Sequence, residues 1–138
     1  ASDYGVLLRE GTAAQMINFL VVGFNDACLN VDNDSTFTQL ESGSITMTNS
    51  NLNCDVNFEI QEEVDLEAWF LAQDGNAVGG AEVAEAYNTD APSYETTKAS
   101  EAIAGDAGTL HTSFEAAEFI GAVGSEDWTI GWTTHEQN

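Results

Sequence analysis

Apolar residues come in short bursts through the first sixty positions, and Asn, Asp, Ser or Gly closes each burst. Residues 5–8 lead into a turn at 9–12, and 16–24 form a run too β-branched and aromatic at its centre for a helix. Further strands are predicted at 27–31, 36–40, 44–48 and 52–54, separated by polar turns at 25–26, 32–35, 41–43 and 49–51. Val56, Phe58 and Ile60 alternate with Asn57 and Glu59, the pattern of one last half-buried strand. Short strands between polar turns mark a mainly β chain.

The bursts also repeat. Positions 5–12 slide onto 27–34, strand on strand and turn on turn, at an offset of 22. A third unit would start 26 residues further on, at Asn53-Cys54, once the loop around Thr36 is allowed. Periods of roughly 20–50 residues mark solenoids, so a short right-handed parallel β-helix is expected over residues 1–60. A β-sandwich is the competing arrangement. In the solenoid, turns stack about 4.8 Å apart. Cys28 and Cys54 then fall at equivalent places on neighbouring turns, near the lower end of the roughly 4.4–6.8 Å Cα range of a disulfide.

After Ile60 the period changes. Residues 61–73 carry acids at the start and apolar positions at 64, 68 and 71, with 66 and 70 beside them. This is an amphipathic helix stopped by Asp74-Gly75-Asn76. Its Trp69 and Phe70 should press onto the core, closing an end that would otherwise present bare strand edges. Residues 81–87 could make two helical turns, and 88–108, with Pro92, should be a surface loop held by Tyr94 and Ile103. In the last stretch, Phe119, Ile120, Ala122 and Val123 are punctuated by Gly121 and Gly124, which predicts a short buried strand. Trp128 and Trp132 should lie flat against whatever that strand covers, with their indole N–H groups at the edge. Residues 61–138 are therefore expected to form a helical, loop-rich, Trp-containing cap on the same single domain.

Charge narrows the function classes. The 138 residues hold 24 Asp and Glu against Arg9 and Lys98, a formal charge of −22, with 43% hydrophobic residues to build a core. Self-repulsion at that density is relieved by salt. Nucleic acids and anionic membranes require a basic footprint that two residues do not supply. An enzyme for acidic polysaccharides would lack the basic groups that neutralise its substrate. No apolar run approaches a membrane span. The chain starts at Ala1 rather than Met, which suggests a removed leader or a piece of a longer polypeptide. Two cysteines suit one disulfide in an oxidising compartment, so an extracellular or cell-surface address is expected.

The cassette of residues 119–123, Asp127-Trp128-Thr129 and Gly131-Trp132-Thr133 resembles the ending of a broad group of secreted, uncharacterised bacterial surface proteins. Residues 5–12, Gly23-Phe24 and Ala27-Cys28 resemble their last repeats, and Trp69-Phe70 with Asp74-Gly75-Asn76 is similar to their helix. The resemblance implies a parallel β-helix-like fold and an extracellular address. It carries no catalytic residues.

Candidate chemistry is sparse. His111 lies two residues from Ser113 but has no third, orienting group, and His135 is next to the C-terminus. No catalytic residue is assigned. Asp32 and Asp34 form an oxygen-rich turn that could hold Ca²⁺, although the glycine and distant Glu of an EF-hand loop are missing. Otherwise no cofactor is expected. The acids Glu62, Glu63, Asp65 and Glu67 read as a solvated helix face. Three functions follow: a non-enzymatic structural module that self-associates through an open solenoid end; a carbohydrate-binding or carbohydrate-cleaving domain; and a Ca²⁺-dependent adhesion module. The second would use Trp69, Trp128 or Trp132 beside carboxylates roughly 5–10 Å apart.

Overall fold

The apolar bursts become strands of two to five residues, and the Asn and Gly between them become corners. The computed structural model describes residues 3–96, 112–117, 119–124, 126–131 and 133. In chain order the elements are β1 (Tyr4–Leu8), β2 (Gln15–Ile17), β3 (Leu20–Val22), β4 (Ala27–Val31), α1 (Asp34–Glu41), β5 (Thr46–Thr48), β6 (Asn51–Asn53), α2 (Leu66–Leu71) and β7 (Ala77–Val78). The fold is mainly β, in three small parallel sheets: β1-β4, β2-β5 and β3-β6-β7. A parallel pair needs a long crossover, usually a helix. Here β2 and β3 themselves carry the chain from β1 to β4, so the chain visits the three sheets in the same order twice.

Register puts like residues side by side. Leu8 pairs with Val31, Met16 with Met47 and Val21 with Leu52, and all six are in the core. The corners line up as well. Asn18 and Asn49 follow the paired residues Ile17 and Thr48, and Gly75 stands two residues before Ala77, the partner of Asn51. All three are left-handed, with φ of 61°, 48° and 71°. Asparagine tolerates that conformation better than most side chains. Glu10 and Asn33, also left-handed, repeat the arrangement after β1 and β4, joined by a hydrogen bond from Asn33 Nδ2 to Glu10 Oε1.

Several expectations need correction. Tyr4, not Gly5, pairs with Ala27, so the first two units are one residue further apart than the offset of 22. Residues 5–8 are all apolar, so sequence alternation left either register open; a one-residue slip exchanges the faces. The observed register buries Leu8 and leaves Leu7 outside. The third unit does not start at Cys54. Leu29 bridges to Phe58, and Leu29 N–H donates to Asn57 O, so the chain rejoins the first sheet near residue 57.

Residues 36–40 are helical rather than extended. Thr36, Phe37 and Leu40 are buried on one face of α1, and the Thr36 and Phe37 N–H groups donate back to Asn33 O. α2 is shorter than 61–73, and Phe70 and Trp69 meet the core as expected, Phe70 buried and Trp69 packed against it. Leu66 and Phe70 are buried while Ala68 and Leu71 are exposed, and Asp65 caps the start of the helix by accepting from Ala68 N–H at 2.9 Å. Phe70 packs on Phe58 with ring centroids 5.6 Å apart. Of the expected strand at 56–60 only the Phe58 bridge forms, and Val56 and Ile60 are exposed. Residues 81–87 are not helical; Val83 bridges antiparallel to Thr96. Residues 119–123 form bends, with Ile120 and Val123 buried and Gly121 N–H bonded to Asn18 O. Ile103 lies outside the described residues.

Candidate functional site

The two ends of the sheets differ. At β5, Thr46 N–H and Thr48 O bond toward β2, so the Met47 amide faces the other way. Two side-chain amides just beyond α2 meet it. Gln73 Oε1 accepts from Met47 N–H at 2.9 Å, and Asn76 Nδ2 donates to Met47 O and to Phe70 O. Asn76 Oδ1 also accepts from Ser50 N–H at 2.9 Å. β6 continues into β7, with Asn51 Nδ2 donating to Gly79 O, and the far side of β4 receives residues 56–59. At this end the backbone groups are met by other parts of the chain.

At the opposite end, β1, β2 and β3 each have one strand neighbour among the described residues. The core thins there. Leu8, Met16 and Val21 keep 7%, 7% and 5% of their surface, while their partners Val31, Met47 and Leu52 are at 0%. Leu7 and Phe19 are exposed nearby in the chain. Tyr4, in β1, has its hydroxyl pKa raised above the ordinary tyrosine value, first by shielding from solvent and then by the carboxylates of Glu59 and Asp26, with Asn30 opposing.

Cys28 and Cys54 are joined, with Cα atoms 5.7 Å apart, in the middle of the usual range rather than at its lower end. They are not equivalent positions. Cys28 belongs to β4 in the first sheet and Cys54 follows β6 in the third, so the bond ties two different sheets across the interior.

A hollow of about 360 Å³ opens on the outer face of β3. Val21 points into the core, so Leu20 and Val22 point outward and line it. Tyr87, Tyr94 and Trp128 line it too, with the buried Val123. The Tyr87 hydroxyl donates to Gly23 O at 3.3 Å, and Trp128 Nε1 donates to Ala122 O at 2.7 Å. Trp128 is 55% exposed, against an expectation that it would lie flat within the packing cassette. Trp69 and Phe119 are half-buried, and Phe70 and Ile120 fully so. Trp132, His111 and His135 lie outside the described residues.

Asp32 and Asp34 are both exposed; Asp34 begins α1 and Asp32 N–H bonds to Leu8 O. The described residues hold no group of three or more His, Cys, Asp or Glu placed to hold a metal ion. Asp65 is occupied as the α2 cap. Sequence reasoning missed Tyr87 and Tyr94 as lining residues and Gln73 and Asn76 as edge caps. The available signal was the pair of amides flanking Asp74-Gly75, which place two side-chain carbonyls and donors on either side of a tight turn. No helix among the described residues is long and apolar enough to cross a membrane. Comparison of the chain with family models, with curated proteins and with solved structures returns no match.

Proposed function

We propose that the chain is a short right-handed parallel β-helix acting as a non-enzymatic structural module, the capped terminal piece of an extracellular surface assembly. The parallel pairings and the aligned left-handed corners support the helix reading, and parallel crossovers are right-handed by strong preference. The observation that carries the function is the difference between the two ends. Gln73 and Asn76 finish the β5 edge, whereas the outer edges of β1, β2 and β3 face no strand among the described residues and the core thins toward them. Bare parallel edges over an apolar interior recruit further strands. Here those strands come from preceding windings of the same kind or from another copy added head to tail. The disulfide supports an oxidising, extracellular setting.

Two copies at −22 repel, so assembly should need salt. Sedimentation velocity and negative-stain microscopy, run from dilute buffer to about 1 M NaCl, test the reading. Mass that climbs with concentration and salt, as rods of constant width, is the expected result. A monomer at high concentration in high salt overturns head-to-tail addition.

A further inference from the structure

The hollow on the outer face of β3 lies on the side of the sheet and is independent of the end-to-end reading. Its volume, about 360 Å³, is that of a small-molecule site, and its lining is mostly aliphatic and aromatic. Two of its polar tips are already engaged: the Tyr87 hydroxyl with Gly23 O and the Trp128 indole N–H with Ala122 O. Thr129 Oγ1, also in the lining, bonds Asp127 Oδ1 at 2.6 Å. What these residues offer a ligand is chiefly π and aliphatic surface. A sugar, whose hydroxyls need partners once desolvated, is poorly served there.

Acidic residues flank the lining in sequence. Glu82, Glu85, Glu95 and Asp127 are sequence neighbours of the lining residues Val83, Ala86, Tyr94 and Trp128. The whole chain has two basic side chains against 24 acidic ones. Aromatic faces attract cations through their quadrupole, most strongly Trp, and a negative field concentrates cations at the surface. We propose that the Tyr87–Tyr94–Trp128 hollow binds a small quaternary ammonium ligand, whose methyl groups match the aliphatic lining and whose charge matches the rings and the acidic surroundings.

The test uses the full chain and isothermal titration calorimetry at low salt, with choline as the probe. The controls are 3,3-dimethylbutan-1-ol (the uncharged isostere of choline), ammonium chloride and methyl glucoside. Choline should bind about tenfold more tightly than the uncharged isostere, and Trp128→Leu, which keeps an apolar wall, should weaken it by about the same factor. Equal affinity for the isostere would reduce the hollow to an apolar cleft and overturn the proposal. So would an equal response to ammonium chloride, which marks counter-ion accumulation, or binding of methyl glucoside in place of choline. No heat from choline overturns it as well. Circular dichroism checks that Trp128→Leu folds; should it not, Tyr94→Leu is read in the same way.

Discussion

The side-chain amide of Asn76 stands beside Met47 where the backbone of another strand would stand, its Nδ2 donating to Met47 O at 2.6 Å. With Gln73 on the Met47 N–H, a strand edge is finished by side chains instead of by a neighbour. An edge finished this way no longer offers a pairing template, which is the physical root of the difference between the two ends.

Asn76→Ala removes the side-chain partners of Met47 O and Ser50 N–H together, and one of the two donors to Phe70 O, which keeps the Gln73 N–H. Leaving sheltered backbone groups unmatched should cost about 2–4 kcal/mol, measured by urea unfolding. Asn76→Asp keeps the acceptor for Ser50 but turns carboxylate oxygens toward two carbonyls. It should be less stable than the alanine variant near neutral pH, with the gap narrowing as the carboxylate is protonated.

Gly75 and Gly79 make a controlled pair. Both are left-handed, at φ 71° and 76°, but a Cβ on Gly75 would strike the side chain and Cα of Asn49, while one on Gly79 meets open space. Gly79→Ala should cost about 1–2 kcal/mol from backbone strain alone. Gly75→Ala should cost clearly more, and equal losses would mean that the Asn49–Gly75 column is not packed as described.

Reducing the Cys28–Cys54 bond releases a loop of sequence separation 26. Loop entropy puts the loss at about 3.5 kcal/mol. Urea midpoints with and without reductant give the value, and Cys28, fully buried, should react slowly in the native state.

Tyr4 should be among the last phenols to ionise, since shielding and the nearby Glu59 and Asp26 carboxylates oppose its phenolate. A group whose folded pKa is raised contributes stability that is complete below the ordinary tyrosine value and disappears as pH climbs through the raised one. Tyr4→Phe should remove a component of the phenolate absorbance titration that lies above the ordinary tyrosine value. A titration unchanged at its upper end would contradict the assignment.

With −22 on 138 residues, melting temperature should rise as NaCl goes from about 0.1 M to 1 M, because the screening length falls from about 10 Å to about 3 Å. Calorimetry at fixed pH measures this. A flat or falling response would mean that charge repulsion is not a main cost of this fold.

Much of the strand pattern was legible because it is local. Bursts at 27–31, 44–48 and 52–54 and the turn residues Asn33, Asn49 and Gly75 announce short strands and sharp corners by their own conformational preferences, whereas the corner at Asn18 splits residues 16–24, which read as one run, into β2 and β3. With only two cysteines present, their partnership was also readable. The candidate site was less so. Trp128 could be picked out by residue type, but Tyr87 and Tyr94 reach the same hollow from a segment with no clear period.

The chain's sequence alone determined its acidity, most of its short strands and most of its polar turns, since each depends on one residue or its immediate neighbours. Tertiary structure decided the rest. The register of β1 on β4 was open because residues 5–8 suit either face, and only the shared interior selects Leu8 over Leu7. Thr36, Phe37 and Leu40 became helical because a helix brings all three to one buried face, where a strand would alternate them. The exposure of Trp128 and the finishing of β5 by Gln73 and Asn76 likewise depend on what lies across space, which neighbours along the chain do not encode.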